Sequence, residues 1–167
     1  MSPRAWLAES EREGGAAGYR NDEACDVLPR LASDNPVIDD TIMKRAFPRS
    51  VIAAIDVSKI LGIRAGLRSD HRFIGIWPVV VRGRVFGRSW SLKPGGWYRT
   101  FLEDPRGTIQ VGDREIRIRT VPARSEGIRD AVERAYAEKY PTPGSRRFVR
   151  GFRTKRRREA TVEFIPR

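Results

Sequence analysis

The stretch that decides the fold runs from Arg72 to Ser89, RFIGIWPVVVRGRVFGRS. Arg72 to Val81 is dominated by apolar, β-branched and aromatic residues, is too short for a second full helix, and stops at Arg82-Gly83. Gly83 therefore marks a hairpin, with Arg84 to Ser89 as the returning strand. Pro78 cannot donate to a strand ladder, which places that part of the run at a sheet edge or a bulge.

Working outward, the same signals recur. Leu61 to Arg64 reads as an earlier strand. Thr108 to Val111 and Arg114 to Val121 flank Gly112-Asp113, a two-residue turn that closes tight hairpins. Ile116 and Ile118 alternate with Arg117 and Arg119, so one face is buried and the other cationic. Glu159 to Ile165 forms a last strand in which Ala160, Val162 and Phe164 share a face. A short apolar run, Val51 to Ile55, allows one or two helical turns after Pro48. Ser125 can cap a helix that runs to Tyr140 and stops at Pro141. Its Ile128, Ala131, Val132, Ala135, Tyr136 and Tyr140 form one apolar stripe that must pack on something. About six antiparallel strands with one long helix late in the chain give an α+β fold, a small barrel or strongly curled sheet with that helix against it.

Composition bounds the rest. The chain has 167 residues, of which 40% are hydrophobic, and this is enough for one domain with a real core. Residues 1–47 are polar and broken by glycine and proline, and read as a poorly ordered extension before a folded domain at 48–167. Met43 is an alternative start, which peptides from upstream of it in the native protein would exclude. No window approaches the roughly 18 apolar residues of a membrane span. Cys25 alone cannot form an intramolecular disulfide, and no export signal precedes it, so the expected location is the cytoplasm.

The formal charge is +12, but it is unevenly spread. Residues 1–40 hold four Arg against nine acids, whereas residues 146–167 hold nine bases against two acids. A basic excess of this kind is the footprint of a phosphate-bearing partner.

Catalytic constellations are sparse. His71 is the only histidine, so triads and histidine-rich metal centres lack the residues they need, and His71 reads as a strand entrance. No paired carboxylate or phosphate loop stands out. What remains is Arg88 to Arg99, where cations, hydroxyls and flat aromatics converge within twelve residues. Arg88, Lys93 and Arg99 can pair with phosphate oxygens, and Ser89, Ser91 and the backbone N–H groups around Gly95-Gly96 can donate to the same oxygens. The alternative for this stretch is that Trp97 is a core aromatic and the cations are solvated.

The run Pro94 to Pro105, PGGWYRTFLEDP, followed by Thr108 to Gly112, resembles the central motif of the deazaflavin-dependent nitroreductases, a branch of the split β-barrel flavin-binding proteins. The order Ile76-Trp77, Val79 to Val81, Arg88-Ser89, Trp97-Tyr98-Arg99, Ala135-Tyr136 with Lys139-Tyr140, and Thr161-Val162 with Pro166 is similar to a small bacterial split-barrel family of unknown function. The resemblance covers roughly residues 51–166. It implies a split β-barrel that forms a homodimer and binds FMN or a deazaflavin in a groove between subunits. It further implies phosphate contacts from Arg88, Ser89 and Lys93, with Arg99 beside them, and ring or chain contacts near Trp77 and Trp97. The nitroreductases carry Thr-x-Gly-Arg-x-Ser/Thr-Gly before their second strand, where this chain has Ala65 to His71 without that pattern. Two other readings stay open. One is a nucleic-acid-binding protein that uses Arg146, Arg147, Arg150, Arg153, Arg156 and Arg157, interleaved with Phe148 and Phe152 as a stacking surface. The other is a ligand-free dimeric barrel module.

Overall fold

The computed structural model describes residues 46–67 and 72–167. Cys25, Met43, His71 and all of the N-terminal extension up to residue 45 lie outside the described residues. In chain order the elements are α1 (Arg49–Val57), β1 (Leu61–Ala65), β2 (Ile74–Ile76), β3 (Pro78–Val81), β4 (Arg84–Arg88), α2 (Trp97–Glu103), β5 (Arg106–Val111), β6 (Arg114–Pro122), α3 (Glu126–Lys139), α4 (Pro143–Gly151), α5 (Lys155–Glu159) and β7 (Thr161–Pro166). The seven strands pair antiparallel in the order β2-β1-β5-β6-β7-β4-β3.

That order explains the curl. β2 and β3 are the two edges of the sheet, yet only Trp77 separates them in sequence. A single residue spans a few ångströms, so the two edges must meet, and the sheet is a nearly closed barrel with its seam at Trp77. The α+β barrel expected from the sequence is therefore the fold. Pro78 is the first residue of an edge strand, where its missing N–H removes no ladder bond.

Both hairpins form at the positions that the glycines mark. Val81 pairs with Arg84 across Arg82-Gly83, and both turn residues have positive φ, 51° and 71°. Val111 pairs with Arg114 across Gly112-Asp113, with Gly112 at φ 58°. These are the conformations that two-residue hairpin turns require.

The uniformly apolar look of β3 and β4 has a physical origin. Val85 points into the barrel interior with Ile63, Ile109, Ile118 and Phe164, while Phe86, one residue on, points outward and packs with Val79 under α3. A strand covered on both faces loses its polar alternation. The interior core also takes Phe47, Val51 and Ile55 from around α1 and Trp97 and Phe101 from α2. Phe47, at the last position of the expected extension, is thus part of the core.

Two expectations need correction. The described residues form seven strands, because the run through Trp77 splits into β2 and β3 and its halves bond to different neighbours. The described residues also hold five helices, where one long helix and a short helical run at Val51 to Ile55 were expected. The basic run 146–158 folds as α4 and α5, with Pro143 at the start of α4 and the Thr142 hydroxyl accepting from the Ser145 N–H. Its arginines are good helix formers, and its Phe148, Val149 and Phe152 give it a face to bury. Ser125 does precede α3, but its side chain makes no capping bond.

A buried node at the barrel seam and the loop above it

Arg88 ends β4 on the outward face, directly beneath α3, and its side chain is fully buried. Its Nε donates to Thr161 Oγ1 at 2.8 Å, Nη1 to the Phe152 carbonyl at 3.0 Å and Nη2 to the Arg129 carbonyl at 3.1 Å. Nη1 also lies 3.8 Å from the Glu133 carboxylate. Burial is the main influence on this guanidinium and lowers its pKa, with Tyr136 and then Glu133 acting in the opposite direction. A charge taken out of water in this way is tolerated because its donors are met by fixed acceptors. Arg88 thereby ties β4 to β7, to α3 and to the end of α4.

Tyr136 completes the node. Its hydroxyl accepts from the Arg88 N–H at 2.9 Å and donates to the Trp77 carbonyl at 2.9 Å. One turn later, the Tyr140 hydroxyl sits 3.0 Å from both the Lys59 and Pro78 carbonyls, and its ring stacks on Trp77 at 4.4 Å and 7°. Lys139 Nζ donates to the Ile55 carbonyl, and Lys59 Nζ to the Lys139 carbonyl, both at 2.9 Å. The Ala-Tyr-x-x-Lys-Tyr element is therefore a clamp: from one helix face it holds both the seam and the α1 end of the barrel.

Lys139 supplies a pH signature for this clamp. Burial pushes its ammonium down to about 8, with Asp56 opposing the shift and Lys59 adding to it. Between about pH 8 and the ordinary lysine value near 10.5, the unfolded chain holds the proton that the folded chain has lost, so stability rises with pH across that window. Relative to Lys139→Met, the wild-type chain should gain denaturant stability from about pH 8 upward and show a constant difference below it. A constant difference at every pH would place the Lys139 proton equilibrium at its unfolded position.

Above the node, the chain leaves β4 as the loop Ser89 to Gly96. Ser89 is buried, its Oγ donating to the Ser91 carbonyl at 2.7 Å and its N–H to the Ala160 carbonyl at 3.0 Å. Trp90 is 40% exposed. The Arg157 guanidinium lies 4.0 Å over its ring, and Phe148 and Phe152 meet it edge-on at 5.1 and 5.7 Å. This packing requires Gly151, since a Cβ there would come within 2.4 Å of the Trp90 ring. Ser91, Lys93 and Arg99 are exposed. Trp97 is buried in the interior core, and Trp77 is half-buried at the seam.

The six residues singled out in sequence therefore divide. Arg88, Ser89, Trp77 and Trp97 face protein, whereas Lys93 and Arg99 face solvent. Sequence reasoning passed over Trp90, which the structure places between the loop and the basic helices. The only signal for it was an aromatic set between two serines. A cavity of about 300 Å³ elsewhere is lined by Leu67, Gly107, Arg117, Ile118 and Arg167, and holds none of the six. Among the described residues no helix is long and apolar enough to cross a membrane.

A family described as an uncharacterised protein conserved in bacteria (DUF2255) matches residues 51–164. No curated protein matches the chain. Similar solved structures include a conserved hypothetical protein from Mycobacterium tuberculosis, at 12% identity over 73% of this chain and 81% of that one, with a TM-score of 0.49. A candidate pyridoxamine 5′-phosphate oxidase from Listeria innocua is 9% identical over 71% and 90% of the two chains, with a TM-score of 0.48. A FAD-binding protein from Mesorhizobium loti is 10% identical over 73% and 89%, with a TM-score of 0.45.

Proposed function

Since the chain belongs to the DUF2255 family of uncharacterised bacterial proteins, we propose that it is a flavin- or deazaflavin-binding split β-barrel of oxidoreductase type, with the cofactor phosphate held at the loop Ser89 to Arg99. One observation carries this reading. The loop is anchored from below by Arg88 and Ser89, and it presents Ser91, Lys93 and Arg99 to solvent in a stretch, residues 88–102, that contains no acid. Neither Lys93 nor Arg99 has an ion-pair partner among the described residues.

The donor set fits a phosphate group: a point charge on Lys93, a guanidinium on Arg99 and a hydroxyl on Ser91. Arg88 acts here as a positioning residue, because its guanidinium already donates within the protein. Trp90 offers the exposed ring surface nearest in sequence to these donors. The bound cofactor would supply hydride transfer, and the protein's own groups would bind and orient it. This division of labour suits a chain without an acid–base constellation. The same reading includes a homodimer, which sedimentation velocity of the free and flavin-loaded chain measures directly.

Thermal unfolding with FMN, FAD and a deazaflavin tests the assignment. Ligand at about 100 times its dissociation constant should stabilise the chain by about 2.7 kcal/mol. Lys93→Ala with Arg99→Ala should abolish that shift while leaving ligand-free melting unchanged, since both side chains are exposed. No shift with any of the three flavins overturns the proposal.

A further inference from the structure

Residues 141–158 contain eight cations and no acid, and the structure sorts those cations into two groups. One group is engaged within the protein, by carboxylates or by backbone carbonyls. Arg158 bridges Glu126, Asp130 and Glu133 of α3 at 2.8, 2.7 and 2.8 Å, and Arg153 adds a second contact to Glu133 at 3.1 Å. Arg146 and Arg157 donate to backbone carbonyls, those of Pro141, Trp90 and Gly151. The acids of α3 that face this region are thereby used up. The second group, Arg147, Arg150, Lys155 and Arg156, is exposed and has no ion-pair partner among the described residues.

Packing fixes what such a face can recognise. Phe152 is buried, and Phe148 is half-buried against Trp77 and Trp90 with Arg147 lying 4.8 Å from its ring. Neither ring is free to stack on an unpaired base, which removes the main attraction of a single strand. An anionic membrane is disfavoured for a related reason. A helix that binds lipid inserts exposed apolar side chains, and α4 buries Val149 and turns Phe148 inward. The neighbouring Trp90 ring is covered by the Arg157 guanidinium at 4.0 Å and edged by Phe148 and Phe152, so what α4 and α5 themselves present is a row of cations without a free ring or exposed aliphatic group, which suits regularly spaced backbone phosphates.

We propose that α4 and α5 form a sequence-independent binding face for double-stranded nucleic acid, through Arg147, Arg150, Lys155 and Arg156. Phosphate contacts of this kind supply affinity and carry no base information. The face is separate from the flavin reading and stands or falls independently of it.

Fluorescence anisotropy with duplexes of about 20 base pairs tests it. Four neutralised phosphates give a salt slope of about −3.6, so affinity should fall about 150-fold from about 50 to about 200 mM salt. Two duplexes of unrelated sequence should bind alike, and a single strand of equal length should bind more weakly. Arg147→Ala, Arg150→Ala, Lys155→Ala and Arg156→Ala combined should remove the slope with folding intact by circular dichroism, and Arg150→Glu alone should weaken binding. Lys93→Ala with Arg99→Ala should leave duplex affinity unchanged, which separates this face from the flavin site. Absence of duplex binding at about 50 mM salt, a strong preference for one sequence or for the single strand, or binding only to phosphatidylserine vesicles would each overturn the proposal.

Discussion

Arg88→Ala is expected to destabilise the folded chain by about 3–5 kcal/mol, since buried acceptors that lose their donor cost about 1–3 kcal/mol each and the vacated volume adds a cavity term. The side chain is fully buried, and its removal takes a donor away from Thr161 Oγ1, from the Phe152 carbonyl and from the Arg129 carbonyl at once. It also opens a void between β4 and α3 that water cannot fill without finding the same acceptors. For a domain of this size the melting temperature should drop by more than about 10 °C. Differential scanning calorimetry of the ligand-free chain reads this directly. The measurement also separates two roles for Arg88. A phosphate ligand would lose flavin affinity at constant stability, whereas the node described above loses stability with no flavin present. Unchanged melting would remove Arg88 from the structural role.

Tyr136→Phe is expected to be the second most damaging change, although it deletes a single oxygen. Phenylalanine fills the same space, so packing is kept and the loss is confined to two backbone groups, the Arg88 N–H and the Trp77 carbonyl. A buried N–H left unsatisfied, as that of Arg88 would be, costs about 1–3 kcal/mol. The position of these groups makes the effect local as well. Trp77 is the seam itself and Arg88 ends β4, the strand paired with β3 beside it, so amide exchange should accelerate in β3 and β4 before β5 and β6. Burial also raises the Tyr136 phenol well above its ordinary value, so the hydroxyl keeps its proton and its donor role across the working pH range. Uniform acceleration across all strands would show that Tyr136 carries global packing and not seam closure. Combining the two variants in a double-mutant cycle should give non-additive losses, because both loosen residue 88 from the same helix, one through its side chain and the other through its backbone N–H.

Much of the fold was legible because the responsible signals are local. Gly83 and Gly112 mark turns through a backbone conformation that few residues adopt, and the hairpins form there. The stripe from Ile128 to Tyr140 gave α3, with Val132, Tyr136 and Tyr140 buried as the periodicity requires. The helices of the basic run were not legible for the opposite reason. Charge density masked a modest apolar face, and the partners of that face, Trp77 and Trp90, lie more than fifty residues upstream.

The candidate site shows the same boundary. The residue types that suit phosphate were visible between Arg88 and Arg99, and so was their clustering. Their accessibility was not, because a guanidinium in sequence reads the same whether it faces solvent or three carbonyl and hydroxyl acceptors. Sequence by itself determined the α+β barrel, its hairpins, its long helix and the uneven charge, since propensity, periodicity and composition act over a few residues. Only the tertiary structure decided which cations are free, because that depends on which distant carboxylates and carbonyls the closed seam brings within hydrogen-bonding distance of each one. Arg88 and Arg158 found such partners across the fold, and Lys93, Arg99, Arg147 and Arg150 found none among the described residues.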